Sequence, residues 1–194
     1  MTLLVLASAS ASRAKILRDA GVAFDMVPSR VNEDAVKMMG FSPHDVAQRL
    51  AEVKASTVAS GHPDRLVLGA DQVLNLDGKV LSKAATRETA ADQLKALRGR
   101  AHVLISALAL MRDGEVVWRH TDEARLTMRD FSDAFLEAYL GAEGDAVLGS
   151  VGCYRLEGLG AQLFERVEGD YFSILGLPLV PLLGALRDFG VVAR

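Results

Sequence analysis

Cysteine is nearly missing: Cys153 stands alone in a chain of 194 residues. A lone thiol cannot form an internal disulfide, so nothing in the sequence points to an oxidising compartment. No nearby histidine would activate Cys153 as a nucleophile, and it reads as a buried structural thiol. A positive excess is also lacking. The chain has 22 Lys and Arg against 25 Asp and Glu, a net charge of -3. That argues against a nonspecific nucleic-acid surface, which needs a strongly basic face. A small anionic ligand remains open, because a few local cations suffice for it.

Long apolar runs are missing as well. No stretch reaches the ~20 residues of a membrane helix. The segment Met1 to Ala11 has an apolar run, Leu3 to Ala7, followed by small residues. It lacks a basic leader and the run is short, so a first buried strand is expected rather than a signal peptide. The expected location is the cytoplasm, with no membrane partner. Repeats and low-complexity linkers are absent, so one domain over residues 1–194 is expected. There is no Walker A sequence and no Gly-rich dinucleotide fingerprint. The histidines His44, His62, His102 and His120 lack metal-ligand spacing, and no zinc site is expected.

What is there is a chain built to fold. Half its residues are hydrophobic and 24% are charged, the balance of a globular protein with a sizeable core. Leu3 to Ala7 predicts an interior strand, and Ile16, Leu17 and Ala20 a helix ended by Gly21. Ser42 and Pro43 predict an N-cap and first residue for a helix carrying Val46, Leu50 and Val53 on one face. Leu66 to Ala70 predicts a buried strand ending at Asp71. Val73 to Lys83 predicts a hairpin turning at Asp77-Gly78. A helix capped by Thr86 follows to Leu97 and stops at Gly99. Two long strands, His102 to Met111 and Glu115 to Met128, meet at Asp113-Gly114. Ser132 caps a helix ended by Gly141. Short strands are expected around Gly152 to Leu156 and Ala161 to Val167. Pro178 opens a last helix ending near Gly190. Alternating strands and helices with hairpins between them indicate an α/β class with a mixed sheet.

Several positions could carry chemistry. Ser8-Ala9-Ser10-Ala11-Ser12-Arg13 opens a helix. Free backbone N–H groups, hydroxyls and a guanidinium there suit a phosphate, though serines before a helix are also ordinary caps. Asp71 follows an apolar strand, where a carboxylate either faces a cleft or serves a turn. Glu33 and Asp34 lie in a polar segment, as solvated loop charges or as a second carboxylate for a metal. Lys54 and Lys83 fall where lysines are usually exposed. In Glu157-Gly158-Leu159-Gly160-Ala161 the glycines permit close backbone approach. Taken alone, that stretch reads as a hairpin between short strands.

The order and wording of these segments resemble the Maf family of nucleotide pyrophosphatases. The resemblance runs from about Leu4 to Gly190. It is carried by Leu6-Ala7-Ser8-Ala9-Ser10 before Arg13, Asn32-Glu33, Leu50 to Ala55, Leu68-Gly69-Ala70-Asp71 and Leu76 to Lys83. Further on it is carried by Leu97 to His102, Glu157 to Gly160, Glu168 to Tyr171 and Gly176 to Leu179. The resemblance implies an elongated mixed sheet flanked by helices, inosine-triphosphatase-like, with a cleft between two lobes. It implies hydrolysis between the α and β phosphates of a nucleoside triphosphate with Mg²⁺ or Mn²⁺. Asp71 matches the family's catalytic base and a metal position. Ser8 and Arg13 match phosphate-binding positions, and Glu33, Lys54 and Lys83 other active-site positions, with Glu33 beside the metal. A homodimer is implied by resemblance alone.

The chain departs from the commonest family wording. Where the family reads Ser-Pro-Arg-Arg, this chain reads Ser10-Ala11-Ser12-Arg13. Where the dTTP/UTP branch carries Thr after the catalytic Asp and Gln in the later loop, this chain has Gln72 and Glu157. Ser12, Gln72 and Glu157 resemble the 7-methyl-GTP branch. An ionised Glu157 could accept the N1–H and exocyclic amino donors of guanine, and N7 methylation would add Coulombic attraction. A dTTP/UTP-type pyrophosphatase, a non-catalytic nucleotide-binding regulator of cell division and a phosphatase releasing single phosphates are the alternatives.

Overall fold

The structure, a computed structural model, describes residues 3–193. Met1, at the start of the stretch weighed as a leader, and the extreme ends of the expected 1–194 domain lie outside the described residues. In chain order the elements begin β1 (Leu4–Leu6), α1 (Ala11–Asp19), β2 (Phe24–Met26), α2 (Glu33–Lys37), α3 (Pro43–Ala59) and β3 (Leu66–Leu76). Then come β4 (Lys79–Leu81), α4 (Arg87–Leu97), β5 (Ala101–Arg112), β6 (Glu115–Met128) and α5 (Asp133–Glu143). Short 3₁₀ turns follow, and then β7 (Phe164–Glu168), α6 (Tyr171–Ile174) and α7 (Leu179–Asp188).

The seven strands form one mixed sheet in the order β2-β1-β3-β5-β6-β7, with β4 paired to β3. β1 pairs in parallel with both β2 and β3, while β4 and β7 pair antiparallel with β3 and β6. The mixed α/β class expected from the sequence is the class observed.

The chain divides into two compact units. The first comprises Met1–Gln72, Ile105–Asp122 and Asp170–Arg194, and the second Val73–Leu104 and Glu123–Gly169. In the first unit the two-residue period of the strands decides what each face meets. Leu4 and Leu6, Leu66, Leu68 and Ala70, and Leu108 and Leu110 pack with α1 and α7 through Ile16, Leu17, Leu182 and Leu186. Their neighbours Val5, Ala7, Val67 and Met111 pack with Ala55, Val58 and Ala59 of α3. Strands covered on both faces read as continuous apolar runs, which is why β1 and the start of β3 are visible in the sequence. The second unit buries Leu94 and Leu97 of α4, Leu136 and Tyr139 of α5, and Cys153.

The hairpin turns follow sequence chemistry. Asp77 and Gly78 have φ of 50° and 84°, and Asp113 and Gly114 have φ of 52° and 81°. Such pairs of left-handed residues match the twist of two-residue hairpins. Ser42 and Thr86 cap their helices as expected.

Four local expectations need correction. β3 does not end near Asp71 but continues to Leu76, because residues beyond Asp71 pair with β4. Gly141 does not end α5; the helix runs to Glu143 and Gly144 takes the positive φ of 56°. Gly152 to Leu156 is not a strand. Gly152 and Cys153 both have positive φ, 77° and 60°, which lies outside the strand region and kinks the chain here. Val53 does not share the buried face of α3 with Val46 and Leu50; it is 40% exposed.

Candidate active site

Gly69 brings the site together. A Cβ on Gly69 would stand 1.9 Å from the Ala51 carbonyl oxygen and 2.9 Å from the Ala55 Cβ. Only a bare backbone lets α3 and β3 approach so closely. Two residues beyond Gly69 on the same face of β3 comes Asp71, 4% exposed. On α3, Lys54 falls between Ala51 and Ala55 on the buried side and is 8% exposed. Its Nζ lies 2.5 Å from Asp71 Oδ1 and 2.6 Å from Glu33 Oε1. The expected exposure of Lys54 is therefore corrected: a helix-facing lysine stays buried here because it has charged partners on two other elements.

Glu33 is the first residue of α2, whose cap is Asn32 accepting from the Ala35 amide. The polar segment, expected as a loop, is therefore a short helix. Glu33 is half-buried and also meets Lys37 at 3.5 Å. Burial by itself would raise its carboxyl, but Lys54 and Lys37 outweigh that and hold it below the ordinary carboxylate range. Asp71 goes the other way. Burial raises its carboxyl above the ordinary value, against the opposing pull of Lys54 and Arg13. Two carboxylates on one ammonium thus shift in opposite directions, Asp71 by its deeper burial and Glu33 by Lys54 together with Lys37.

Arg13 enters from α1 and is 9% exposed. Its Nε donates to the Gly176 carbonyl at 2.8 Å and its Nη1 to the Ala70 carbonyl at 2.8 Å. Nη1 also reaches Ser8 Oγ at 3.4 Å. Burial lowers the guanidinium's proton affinity, and Asp71 and Glu33 counter it. Ser8 accepts from the Ser10 amide at 3.1 Å. Ser10 is the N-cap of α1, accepting from the Arg13 amide at 3.3 Å. Ser12 donates to the Leu175 carbonyl at 3.3 Å. The first turn is therefore capped in the ordinary way and also gathers a buried cation beside Asp71.

Gln72 follows Asp71 and so points to the opposite face of β3. Its Nε2 lies 2.9 Å from Ser106 Oγ and 3.0 Å from the carbonyls of Ser173 and Ile174. Ser106, Ser173 and the carbonyls of Ala70 and Gly176 were not singled out from the sequence. Ser106 left a trace there, as the one hydroxyl inside the apolar run Leu104 to Met111.

The structure brings together Ser8, Ser12, Arg13, Glu33, Lys54, Asp71 and Gln72 within the first unit. Lys83 and Glu157 belong to the second unit. Lys83 is exposed just after β4. Glu157 sits in a turn, 3.3 Å from Arg155 Nε. That turn is held by the Gly158 amide on the Arg155 carbonyl at 3.2 Å. A Cβ on Gly160 would meet the Arg155 carbonyl oxygen at 2.5 Å, so the loop closes on a glycine. It is a 3₁₀ turn rather than the hairpin between strands expected from the residues alone.

Cys153 is buried, and burial pushes its thiol up to about 11, as suits a structural thiol. Among the described residues no group of three His, Cys, Asp or Glu could hold a metal ion. Asp71 and Glu33 are hard oxygen donors, the kind that hold Mg²⁺ when substrate phosphates complete its shell. The donor set fits a divalent cation in that role. Among the described residues no helix is long and apolar enough to cross a membrane.

Comparison with known proteins finds relatives over nearly the whole chain. The family profile described as Maf-like protein matches residues 3–189. A nucleoside triphosphate pyrophosphatase from Maricaulis maris is 51% identical over 100% of both chains. A 7-methyl-GTP pyrophosphatase from Rhizobium meliloti is 48% identical over 98% of both. Among solved structures, a HAM1 protein from Coxiella burnetii is 18% identical, with a TM-score of 0.44 over 68% of this chain and 75% of that one.

Proposed function

The chain belongs to the Maf family, and from that premise we propose that it hydrolyses a nucleoside triphosphate to the monophosphate and pyrophosphate. The observation that carries the reading is the buried cluster of Asp71, Lys54 and Glu33, with Arg13 alongside. Such a cluster offers a base and cations in one place, which is what cleavage of a phosphoanhydride needs.

Asp71 receives the proton of the attacking water. Its raised proton affinity suits a general base better than an ordinary aspartate would. Lys54 keeps the carboxylate in place and offsets charge on the phosphates. Arg13 has committed Nε and Nη1 to backbone carbonyls, so its phosphate contact falls to Nη2. Ser8 steadies that guanidinium and, with the start of α1, faces the phosphate chain. Lys83 adds a second cation for the polyphosphate. The water's oxygen bonds to phosphorus, the bond between the α and β phosphates breaks, and pyrophosphate leaves. Asp71 and Glu33 would hold a divalent cation such as Mg²⁺ or Mn²⁺, which supplies Lewis-acid stabilisation of phosphate charge.

The substrate proposed is 7-methyl-GTP. Support comes from Glu157, a carboxylate on a closed glycine turn that matches the donor edge of guanine and the positive charge of the methylated base. Ser12 and Gln72, in place of the wording of the dTTP/UTP branch, point the same way, as does the name of the Rhizobium meliloti relative.

A panel of 7-methyl-GTP, GTP, UTP and dTTP with Mg²⁺ and analysis of products tests both levels. Pyrophosphate with the monophosphate is expected, and orthophosphate alone would refute the reaction. Glu157→Gln should cut the preference for 7-methyl-GTP over UTP by about tenfold, the worth of one lost charged hydrogen bond. An unchanged preference removes Glu157 from base selection.

A further inference from the structure

Ser106 has no place in the reaction as described, yet it is built into the first unit with care. Its side chain is 1% exposed on β5, between Ile105 and Ala107. A buried hydroxyl is unfavourable unless its hydrogen-bonding capacity is used. Here it is used twice. Ser106 Oγ donates to the Ser173 carbonyl at 2.7 Å and accepts from Gln72 Nε2 at 2.9 Å.

Both residues act on the same short turn after α6. Gln72 Nε2 also lies 3.0 Å from the Ser173 and Ile174 carbonyls. These acceptors fix the amide's orientation, since the flipped form would set its oxygen against two carbonyls. The Ser173 carbonyl also receives the Gly176 amide at 3.0 Å, closing the turn. Gly176 has φ of 89°, a left-handed conformation that glycine adopts without penalty. Its own carbonyl accepts Arg13 Nε at 2.8 Å. From Ser106 to Arg13 the path is thus Ser106 and Gln72, the Ser173 carbonyl, Gly176, and the guanidinium.

We propose that Ser106 and Gln72 are positioning residues: they clamp the 173–176 turn so that the Gly176 carbonyl aims the Arg13 guanidinium. Gln72 then influences the reaction from the face of β3 opposite Asp71, by holding backbone rather than by touching the nucleotide. The clamp rests on the reading above only in assigning Arg13 to the phosphates. A small misplacement of such a group is enough to lower turnover, because the transition state rewards fixed geometry.

Two measurements separate this role from plain core filling. In the first, Ser106→Ala should lower kcat on the best triphosphate about tenfold, within the range set by misplacement of a positioned group. In an Arg13→Ala background the same change should cost less than about twofold, because the aimed group is gone. A full tenfold loss in both backgrounds, or no loss in the first, overturns the proposal. Gln72→Met, which keeps the volume and removes the donors, should repeat the pattern. In the second, hydrogen exchange at the Arg13 Nε proton is followed by NMR. It should quicken about tenfold in Ser106→Ala, as the Gly176 carbonyl loosens. Unchanged exchange would refute the clamp. If the unaltered protein cleaves no nucleoside triphosphate, the proposed function fails, and the exchange measurement still decides the clamp.

Discussion

Gly69 lies directly against Ala51, so closely that a Cβ would come within 1.9 Å of the Ala51 carbonyl oxygen. That contact sets the spacing between α3 and β3 and so the reach of Lys54 to Asp71. Gly69→Ala should therefore do two things. It should destabilise the fold by about 3 kcal/mol, since the obstacle is backbone and cannot rotate aside. It should also cost turnover in the molecules that remain folded. Denaturant unfolding and single-turnover rates check the pair, and a variant of normal stability would show that the helix can shift.

If Asp71 is the base proposed above, it should carry the acid limb of the pH profile. A carboxylate acts as base only when ionised, so activity falls as pH drops through its folded pKa. Burial raises that pKa, so the limb should lie above the range of an exposed aspartate. Asp71→Asn should lower kcat by about 10² to 10⁴-fold, the usual worth of a general base. A pH–rate series on both forms gives the answer.

Lys54 should hold that limb down, since it draws the Asp71 carboxyl downward. Removing the ammonium leaves Asp71 with Arg13 as its remaining cation among the named causes of its shift. In Lys54→Met the limb should move up, the effect of losing an adjacent opposite charge. An unmoved limb would mean that another group titrates. Glu33 should respond in the same direction, since Lys54 is what draws its carboxyl down most.

His102 sets acid stability in the second unit. Its Nε2 is 2.7 Å from the Tyr154 hydroxyl, and burial pushes its imidazole down to about 4. The unfolded chain takes up a proton near pH 6.5 that the folded chain refuses until about pH 4. Stability is thus intact above pH 6.5 and is lost as pH falls through that window. Between pH 7 and pH 5 the loss from this residue should be about 2 kcal/mol. Denaturation at the two pH values measures the loss, and titration of the His102 ring by NMR tests its origin.

Much of the fold was legible because local chemistry and global need agree. The Asp77-Gly78 and Asp113-Gly114 turns, the Ser42 and Thr86 caps and the apolar run of β1 each state their structure within a few residues. The end of β3 was not legible, because Asp71, Gln72 and Asn75 break the apolar run for reasons of position rather than of strand ending. Gly141 misled because a glycine inside a helix looks like one that ends it; only Gly144 has the positive φ. α2 was hidden by its charges, which its Asn32 cap and Lys37 accommodate. Within the candidate site, Asp71 and Arg13 were singled out from the sequence by their places at a strand and at a helix start. The burial of Lys54 was not legible, because it depends on Gly69 drawing the preceding helix against the strand, a tertiary contact that no local pattern states. The carbonyls of Ala70 and Gly176 could not be seen at all, since any residue supplies a carbonyl and only tertiary structure turns it toward Arg13.

The course of β3 beyond Asp71 has a mechanical consequence. Five further strand residues, to Leu76, continue the strand beyond this aspartate, as Leu66 to Ala70 precede it. A residue gripped at both ends cannot travel to meet its reactant. Glu33, by contrast, rides on a five-residue helix with no buried residue of its own. The two partners of Lys54 are thus mounted differently, one inside a long strand and the other at the start of a short helix.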